Sequence, residues 1–348
     1  MGIWYATRED VMRAVDSKET ARNAGQIDRA LEAASRNIEG LCHRTFYPET
    51  DTRYFDWPNP QHAAPWRLWL DANELISVSA ISSGGTTIST ADVLLEPNQY
   101  GPPYNRLELN IGSDAAFGGG STHQRDITIT GLYGYRNDEA QVGDLDGNIT
   151  SSATTLDVTA APLIGVGSLL RIGTERMTVT GKTMRSTFVT TTAALIAKAS
   201  DDVITGVSAG FAVGETILVD GERMLIVDQS PTSLVVKRGW DGSTLAAHTL
   251  GATIYAPRTL TVTRGALGTT AASHTTGDDV YQWEPPGPVR TLTIAEAVST
   301  LTQEHSAYSV MLRSGESGSE RTRDLRGVAA LRQQVYDSHG RKARLRGV

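Results

Sequence analysis

At 348 residues, with 39% hydrophobic and 20% charged side chains, the chain is too long for one small core and too apolar to be disordered, so two or three modules are expected. No stretch approaches the roughly 20 apolar residues that cross a bilayer, and the opening MGIWYATRED lacks the apolar core of a secretion signal, so a protein made and used in a cytoplasm is expected. The net charge of −7 is uneven: residues 289–348 hold ten Lys/Arg against six Asp/Glu, leaving 22 against 33 elsewhere, an acidic body with a basic tail that suits an acidic partner rather than general nucleic-acid binding.

The chain opens with Thr7 three residues before Asp10, the spacing of a capping box, and a short helix to about Asp16 is predicted. A second helix follows, because Ile27, Ala30, Leu31, Ala34, Ile38 and Leu41 recur at three- and four-residue spacing and form one apolar stripe. Pro48 restricts Tyr47 and sets its end near Phe46. The lone Cys42 excludes an intrachain disulfide and reads as a small buried side chain on this helix.

From Arg53 to Tyr135 short strands are predicted at 54–57, 67–71, 75–81, 93–96, 106–110 and 126–133. In the last, Ile127, Ile129 and Leu132 are set against Thr128 and Thr130 as the buried face. Gly84-Gly85 reads as a turn and Gly118 to Gly120 as a flexible loop.

Residues 136–287 are rich in Thr, Gly, Val and Ala, lack a helical period, and contain an internal repeat. VGSLLRIGTERM (166–177) returns as VGETILVDGERM (213–224), and RGWDGSTLAAHTLGATIY (238–255) returns as RGALGTTAASHTTGDDVY (264–281). The front halves lie 47 residues apart and the back halves 26; tandem duplication would make these offsets equal. The order front, front, back, back implies nesting, with an inner repeat at 200–257 inserted into an outer one made from 148–183 and 258–283. Helical spacing then resumes at Val289, Leu292, Ala295, Val298, Leu301, His305, Tyr308 and Leu312. It is interrupted by SGESGSE (314–320) and continues through Leu325, Val328, Leu331 or Arg332, and Val335 to about Ser338, with Gly340 as the stop.

No histidine pair has metal-site spacing. His248 and His274 hold equivalent places in the two back halves and read as structural, in a turn or an interstrand hydrogen bond. Glu175-Arg176 and Glu222-Arg223 read as cross-strand or turn ion pairs. Residues 144–148 (DLDGN) alternate oxygen ligands with glycine but lack the downstream bidentate glutamate of a calcium loop. Gly118 to Gly120 lacks a phosphate-loop lysine. No catalytic constellation, metal site or cofactor is expected. Trp57, Trp66, Trp69, Tyr100 and Tyr104 are candidate subunit-interface anchors.

Residues 41–48 (LCHRTFYP), 75–78 (LISV), 102–109 (PPYNRLEL), 129–135 (ITGLYGY) and 335–345 (VYDSHGRKARL), taken in this order, resemble the head-tail connector, or adaptor, proteins of tailed siphophages. The resemblance covers residues 1–135 and 288–348. The segment 136–287 departs from it, sitting where shorter members pass directly from strand to helix. The resemblance implies a core of terminal helices forming a bundle with a small β region; the repeats add to it an inserted all-β domain of two nested barrel- or sandwich-like units, so the expected fold is α+β. It further implies a non-enzymatic virion protein at the neck, in a homo-oligomeric ring of about twelve subunits. Its partners would be the portal protein above and a stopper or tail-terminator protein below. Genomic DNA would pass through the lumen without specific binding, since an acidic wall repels phosphate, and no membrane is involved. Arg341, Lys342, Arg344 and Arg346 are the candidate portal-docking residues. The competing expectation is a phage decoration or host-surface glycan-binding protein acting through the β-insert.

Overall fold

The structure, a computed structural model, describes residues 2–15, 21–57, 64–198, 202–207, 210–305 and 326–342. Among these are four α-helices and three antiparallel sheets, a mixed α and β fold. Helix α1 spans Arg8–Val15 and is opened by a reciprocal cap: the Asp10 N–H donates to Thr7 Oγ1 (3.2 Å) and the Thr7 N–H to Asp10 Oδ2 (3.0 Å). Helix α2, Ala21–Cys42, buries Ile27, Ala30, Leu31, Ala34 and Ile38. It stops four residues before the expected Phe46, because His43 turns into the left-handed region (φ 53°). Phe46 is thereby freed from the helix and buried completely in the loop.

The first β region forms two small sheets around one core. Strands β1 (Glu49–Phe55), β2 (Arg67–Trp69), β3 (Leu75–Ser83), β4 (Thr86–Ile88), β5 (Val93–Glu96), β6 (Arg106–Leu109) and β7 (Ile127–Tyr133) pair in the orders β1-β7-β3-β4 and β2-β6-β5. Leu68, Leu75, Ile81, Leu107, Ile127 and Ile129 fill the space between them. Strand β7 keeps a strict period of two, so Gly131 and Tyr133 take the inner positions and Leu132 falls on the other face, contrary to the sequence reading. Strand β4 was not foreseen; Gly84-Gly85 closes it onto β3 as a hairpin.

Residues 139–283 form the ten-stranded sheet: β8 (Glu139–Asp144), β9 (Thr155–Asp157), β10 (Leu169–Ile172), β11 (Glu175–Thr190), β12 (Asp202–Thr205), β13 (Thr216–Val219), β14 (Glu222–Ser230), β15 (Ser233–Lys237), β16 (Thr253–Thr263) and β17 (Asp279–Trp283). Its order is β12-β15-β14-β13-β16-β11-β10-β17-β8, with β9 on β16. It encloses two separate apolar cores. The first holds Leu170, Ile172, Met177, Val179, Leu260, Val262 and Val280; the second holds Ile217, Val219, Met224, Ile226, Leu234, Val236 and Ile254. These are the same positions of the repeat, shifted forward by 47 in the front half and back by 26 in the back half. We call them the outer and inner units. The long pair β11 and β16 runs through both.

The outer unit is seated on the rest of the chain. Val166 joins the core of Trp4, Val11 and Leu31, while Leu169 and Trp283 join that of Tyr5, Phe46, Val289, Leu292 and Val335. Helix α3 (Gly287–His305) packs on α1, α2 and α4 (Arg326–His339). At a second contact the Thr50 N–H donates to Leu267 O (3.0 Å). Gly268, next in the chain, has φ 75°, and a Cβ there would collide with Thr50 O. Gly268→Ala should therefore cost at least about 1–3 kcal/mol from backbone strain alone and speed exchange of the Thr50 amide, measured by hydrogen exchange; an unchanged Thr50 rate would refute the contact.

Candidate functional site

Elements distant in sequence meet where α4 ends. The chain leaving α2 carries Arg44 and the buried Phe46, β7 delivers Tyr135 just past its end, and α4 brings His339. Phe46 packs edge-on to Tyr135 (5.4 Å) and His339 (6.3 Å), and Tyr135 and His339 are 5.6 Å apart. Tyr135 Oη is hydrogen-bonded to His339 Nδ1 at 3.1 Å. Burial, together with the charges of Arg44 and Arg136, holds His339 below its ordinary pKa.

Glu74, only 8% exposed, receives two guanidinium groups: Arg44 at 3.3 Å and Arg341 at 3.2 Å. Arg44 also lies over the Tyr135 ring at 4.9 Å. Arg341 is tied down further, its backbone N–H donating to Cys42 O (2.9 Å) and its Nη2 to Ala72 O (3.0 Å). Of the four docking candidates, Arg341 is thus held inside the fold, Lys342 beside it is exposed, and Arg344 and Arg346 lie outside the described residues. Arg44, Tyr135 and His339 entered the sequence reading only within the motifs of the resemblance, not as site residues, and Glu74 not at all. Glu74 carries no local signal, since its partners are 30 and 267 positions away.

The aromatic candidates divide. Trp57 packs on Phe117 (5.4 Å) and Tyr104 lines the core of the first β region. Trp69 is half-buried under Arg106 (5.2 Å). Trp66 and Tyr100 stay outside, 38% and 77% exposed, so these two are the ones available to a neighbour.

The polar residues that recur in both copies of the repeat form two matching buried clusters. In the outer unit Glu175 accepts Arg264 Nε (2.6 Å) and Nη2 (2.7 Å), His274 Nε2 (2.9 Å) and the backbone N–H of Gly265 and Ala272. In the inner unit Glu222 accepts Arg238 Nε and Nη2 (2.8 Å each), His248 Nε2 (2.8 Å) and the N–H of Gly239 and Ala246. Both histidines also form interstrand bridges, with Ile149 and Leu195 respectively. The adjacent arginines are not the partners. Neighbouring residues on a strand face opposite sides, so Arg176 turns away to Asn137 and Glu139, and Arg223 to Asp241.

Burial alone would raise both carboxyls, but the hydrogen bonds prevail: Arg264, Ala272, His274 and Gly265 hold Glu175 at about 2, and Arg238, His248, Gly239 and Ala246 hold Glu222 at about 2. Because these values lie below the unfolded carboxylate's, near 4.3, the stabilisation is complete above that pH and is lost as pH falls toward 2. Each cluster contributes on the order of 3 kcal/mol by this linkage. Denaturant unfolding should therefore give nearly constant stability from pH 7 to 5 and a steep loss between pH 4 and 2; a flat profile down to pH 2 would contradict it.

Among the described residues no three His, Cys, Asp or Glu side chains are grouped to hold a metal ion, and no helix is long and apolar enough to cross a membrane. Searches of family models, curated proteins and solved structures found no match to the chain.

Proposed function

We propose that this chain is a structural subunit of a tailed-phage neck, a head-tail connector that forms a ring beneath the portal and continues the DNA channel into the tail. The observation that carries the reading is the convergence of Cys42, Arg44, Phe46, Tyr135, His339 and Arg341, drawn from the motifs on which the resemblance rests, around Glu74. Such an anchor fixes where the chain beyond Lys342 departs, and that continuation carries the cations Arg344 and Arg346. A charged segment launched from a rigid point suits docking into a ring above it. In this reading the helices are the bundle of the connector core, and the outer and inner units are nested barrel-like modules of an inserted domain. Their matching cores and matching Glu–Arg–His clusters support that division.

The role asks for contact surface rather than chemistry. Trp66 and Tyr100 are suited to the contact between neighbours in the ring, since aromatic anchors dominate protein interfaces. The acidic body keeps DNA moving through the channel because its net negative charge, 33 Asp/Glu against 22 Lys/Arg, repels phosphate.

Reversing Lys342, Arg344 and Arg346 to glutamate, while keeping Arg341 because it holds the fold, is expected to yield heads without tails in electron micrographs. Normal virions from this triple variant would reject tail docking. An antibody against the inner unit should label the neck of purified particles. Label across the capsid or at the tail tip would instead support decoration or glycan binding through the β-insert.

A further inference from the structure

Three guanidinium groups meet around the Tyr135 ring with one carboxylate among them. Arg44 and Arg136 lie over that ring, 4.9 and 5.9 Å from its centre. Arg341 joins them through Glu74, which it shares with Arg44 at 3.2 and 3.3 Å. Arg136 has no acidic partner among the described residues. Its backbone is nevertheless fixed, since its carbonyl accepts the Trp283 Nε1–H (3.1 Å).

Hydrogen bonds are scarcer here than charges. Among the described residues the side chains of Arg44 and Arg136 donate none, and that of Arg341 donates one, to Ala72 O (3.0 Å). The Nε of all three is buried without an acceptor, although the Arg44 side chain is only 10% exposed. Guanidinium groups are donors and never acceptors, so they cannot satisfy one another, and a buried donor left unmet costs stability. The Nη groups of Arg136 are unbonded as well but not closed off, for Arg136 is half-buried and its Nε alone is sealed from solvent. The cluster is therefore open at Arg136.

An oxyanion supplies both missing things, acceptor lone pairs and negative charge, in the compact form that the planar guanidinium fork recognises. The charge count selects among oxyanions. Three arginines less the one carboxylate of Glu74 leave two positive charges. A lone carboxylate or a DNA phosphodiester carries a single negative charge and would leave half of this unmet. Inorganic phosphate and its monoesters, whose second pKa is about 6, bring close to two near neutral pH.

We propose that Arg44, Arg136 and Arg341, beside His339, form a binding site for a dianionic phosphate, as the free ion or as a monoester. Arg136 offers the groups that reach solvent, and Arg44 and Arg341 lie behind it, held in place by Glu74. His339 reports occupancy: burial and the charges of Arg44 and Arg136 hold it below its ordinary pKa, so an anion that offsets the two arginines moves it up. The site stands whether or not the chain is a neck subunit.

The test is an NMR titration of the full-length protein with sodium phosphate, set against sodium chloride at equal ionic strength. Phosphate at millimolar concentration should shift the Arg136 Nε–H resonance saturably and raise the His339 pKa to its ordinary value or above, read from the ring carbon shifts; chloride should do neither. Arg136→Gln removes no hydrogen bond from the fold and should weaken phosphate roughly tenfold or more, the worth of a charge-assisted hydrogen bond. The comparison of the two salts on the unaltered protein decides the question even if R136Q misfolds. Methyl phosphate binding more tightly than inorganic phosphate would assign the group to an ester, and the reverse to the free ion. Equal shifts in chloride, no saturation, undiminished binding by a folded R136Q, or tighter binding of a short DNA duplex would each overturn the proposal.

Discussion

Glu222→Ala will unfold the inner unit and leave the outer one standing, whereas Glu175→Ala will loosen the outer unit together with the helices it supports. Each change takes a buried carboxylate away from a buried arginine, leaving Arg264 without an acidic partner among the described residues and Arg238 with Asp202 alone (2.9 Å), for Arg238 and Glu222 have fully buried side chains and those of Arg264 and Glu175 are 7% and 0% exposed. Breaking such a pair by removing one member costs about 3–5 kcal/mol. The two costs fall on different structures. Glu222 is bonded to residues 16 to 26 positions away, all within the inner unit. Glu175 is bonded to residues 89 to 99 positions away, and its unit supplies Leu169 and Trp283 to the core of Tyr5 and Val335. Hydrogen exchange reads the difference directly. In Glu222→Ala, protection should fall at Ile217, Met224 and Val236 while Leu170 and Val179 keep theirs; in Glu175→Ala it should fall at Leu170, Val179 and also in α1. Uniform loss in both variants would mean that the two units unfold as one.

Glu74→Ala should have an effect of similar size and a different reach. It leaves the guanidinium groups of Arg44 and Arg341 without their shared carboxylate, and burial already pulls the Arg44 pKa below its ordinary value. The expected loss is about 3–5 kcal/mol. It should be accompanied by release of the C-terminal end of α4, seen as faster trypsin cleavage after Arg341 and Lys342. Combining Glu74→Leu with Arg44→Leu removes two of the three charges together and should recover part of the stability, because a buried ion pair replaced by apolar groups is often neutral. No recovery in the double variant would show that the cluster matters through shape rather than charge.

What could be read from the sequence was whatever has a short period or a nearby partner. The stripe of α2, the Thr7–Asp10 cap and the strands expected at 75–81, 93–96 and 106–110, found at Leu75–Ser83, Val93–Glu96 and Arg106–Leu109, follow from local spacing. The identity of the two repeats was legible too, because like residues recur at constant offset. That Glu175, Arg176, Glu222 and Arg223 would form cross-strand or turn ion pairs was legible as well; which residues they pair with was not, because Arg264, Glu139, Arg238 and Asp241 lie at no fixed local spacing. Leu132 misled, since its hydrophobicity suggested burial while the register of β7 gave the inner position to Tyr133. The Glu74 cluster was beyond local reading, as it depends on a contact between residues near the two ends of the chain. The packing of Trp4 and Glu9 on Val166 of the outer unit was equally hidden, because no sequence offset encodes which of two similar loops meets α1.

The nested arrangement of the units also dictates an order of events during synthesis. Domains fold as their residues emerge, and the inner unit is the first whose front and back halves are both complete. The outer unit must hold its front half open until residue 264 and beyond has left the ribosome. The N-terminal aromatics wait longest, for Tyr5 and Phe46 find their final neighbours only with Trp283, Val335 and His339. Between the two repeats maturation therefore proceeds from the inside outward, while the first β region has its own core complete by Tyr133, and a chain cut short before α4 leaves Phe46 and Tyr135 without His339.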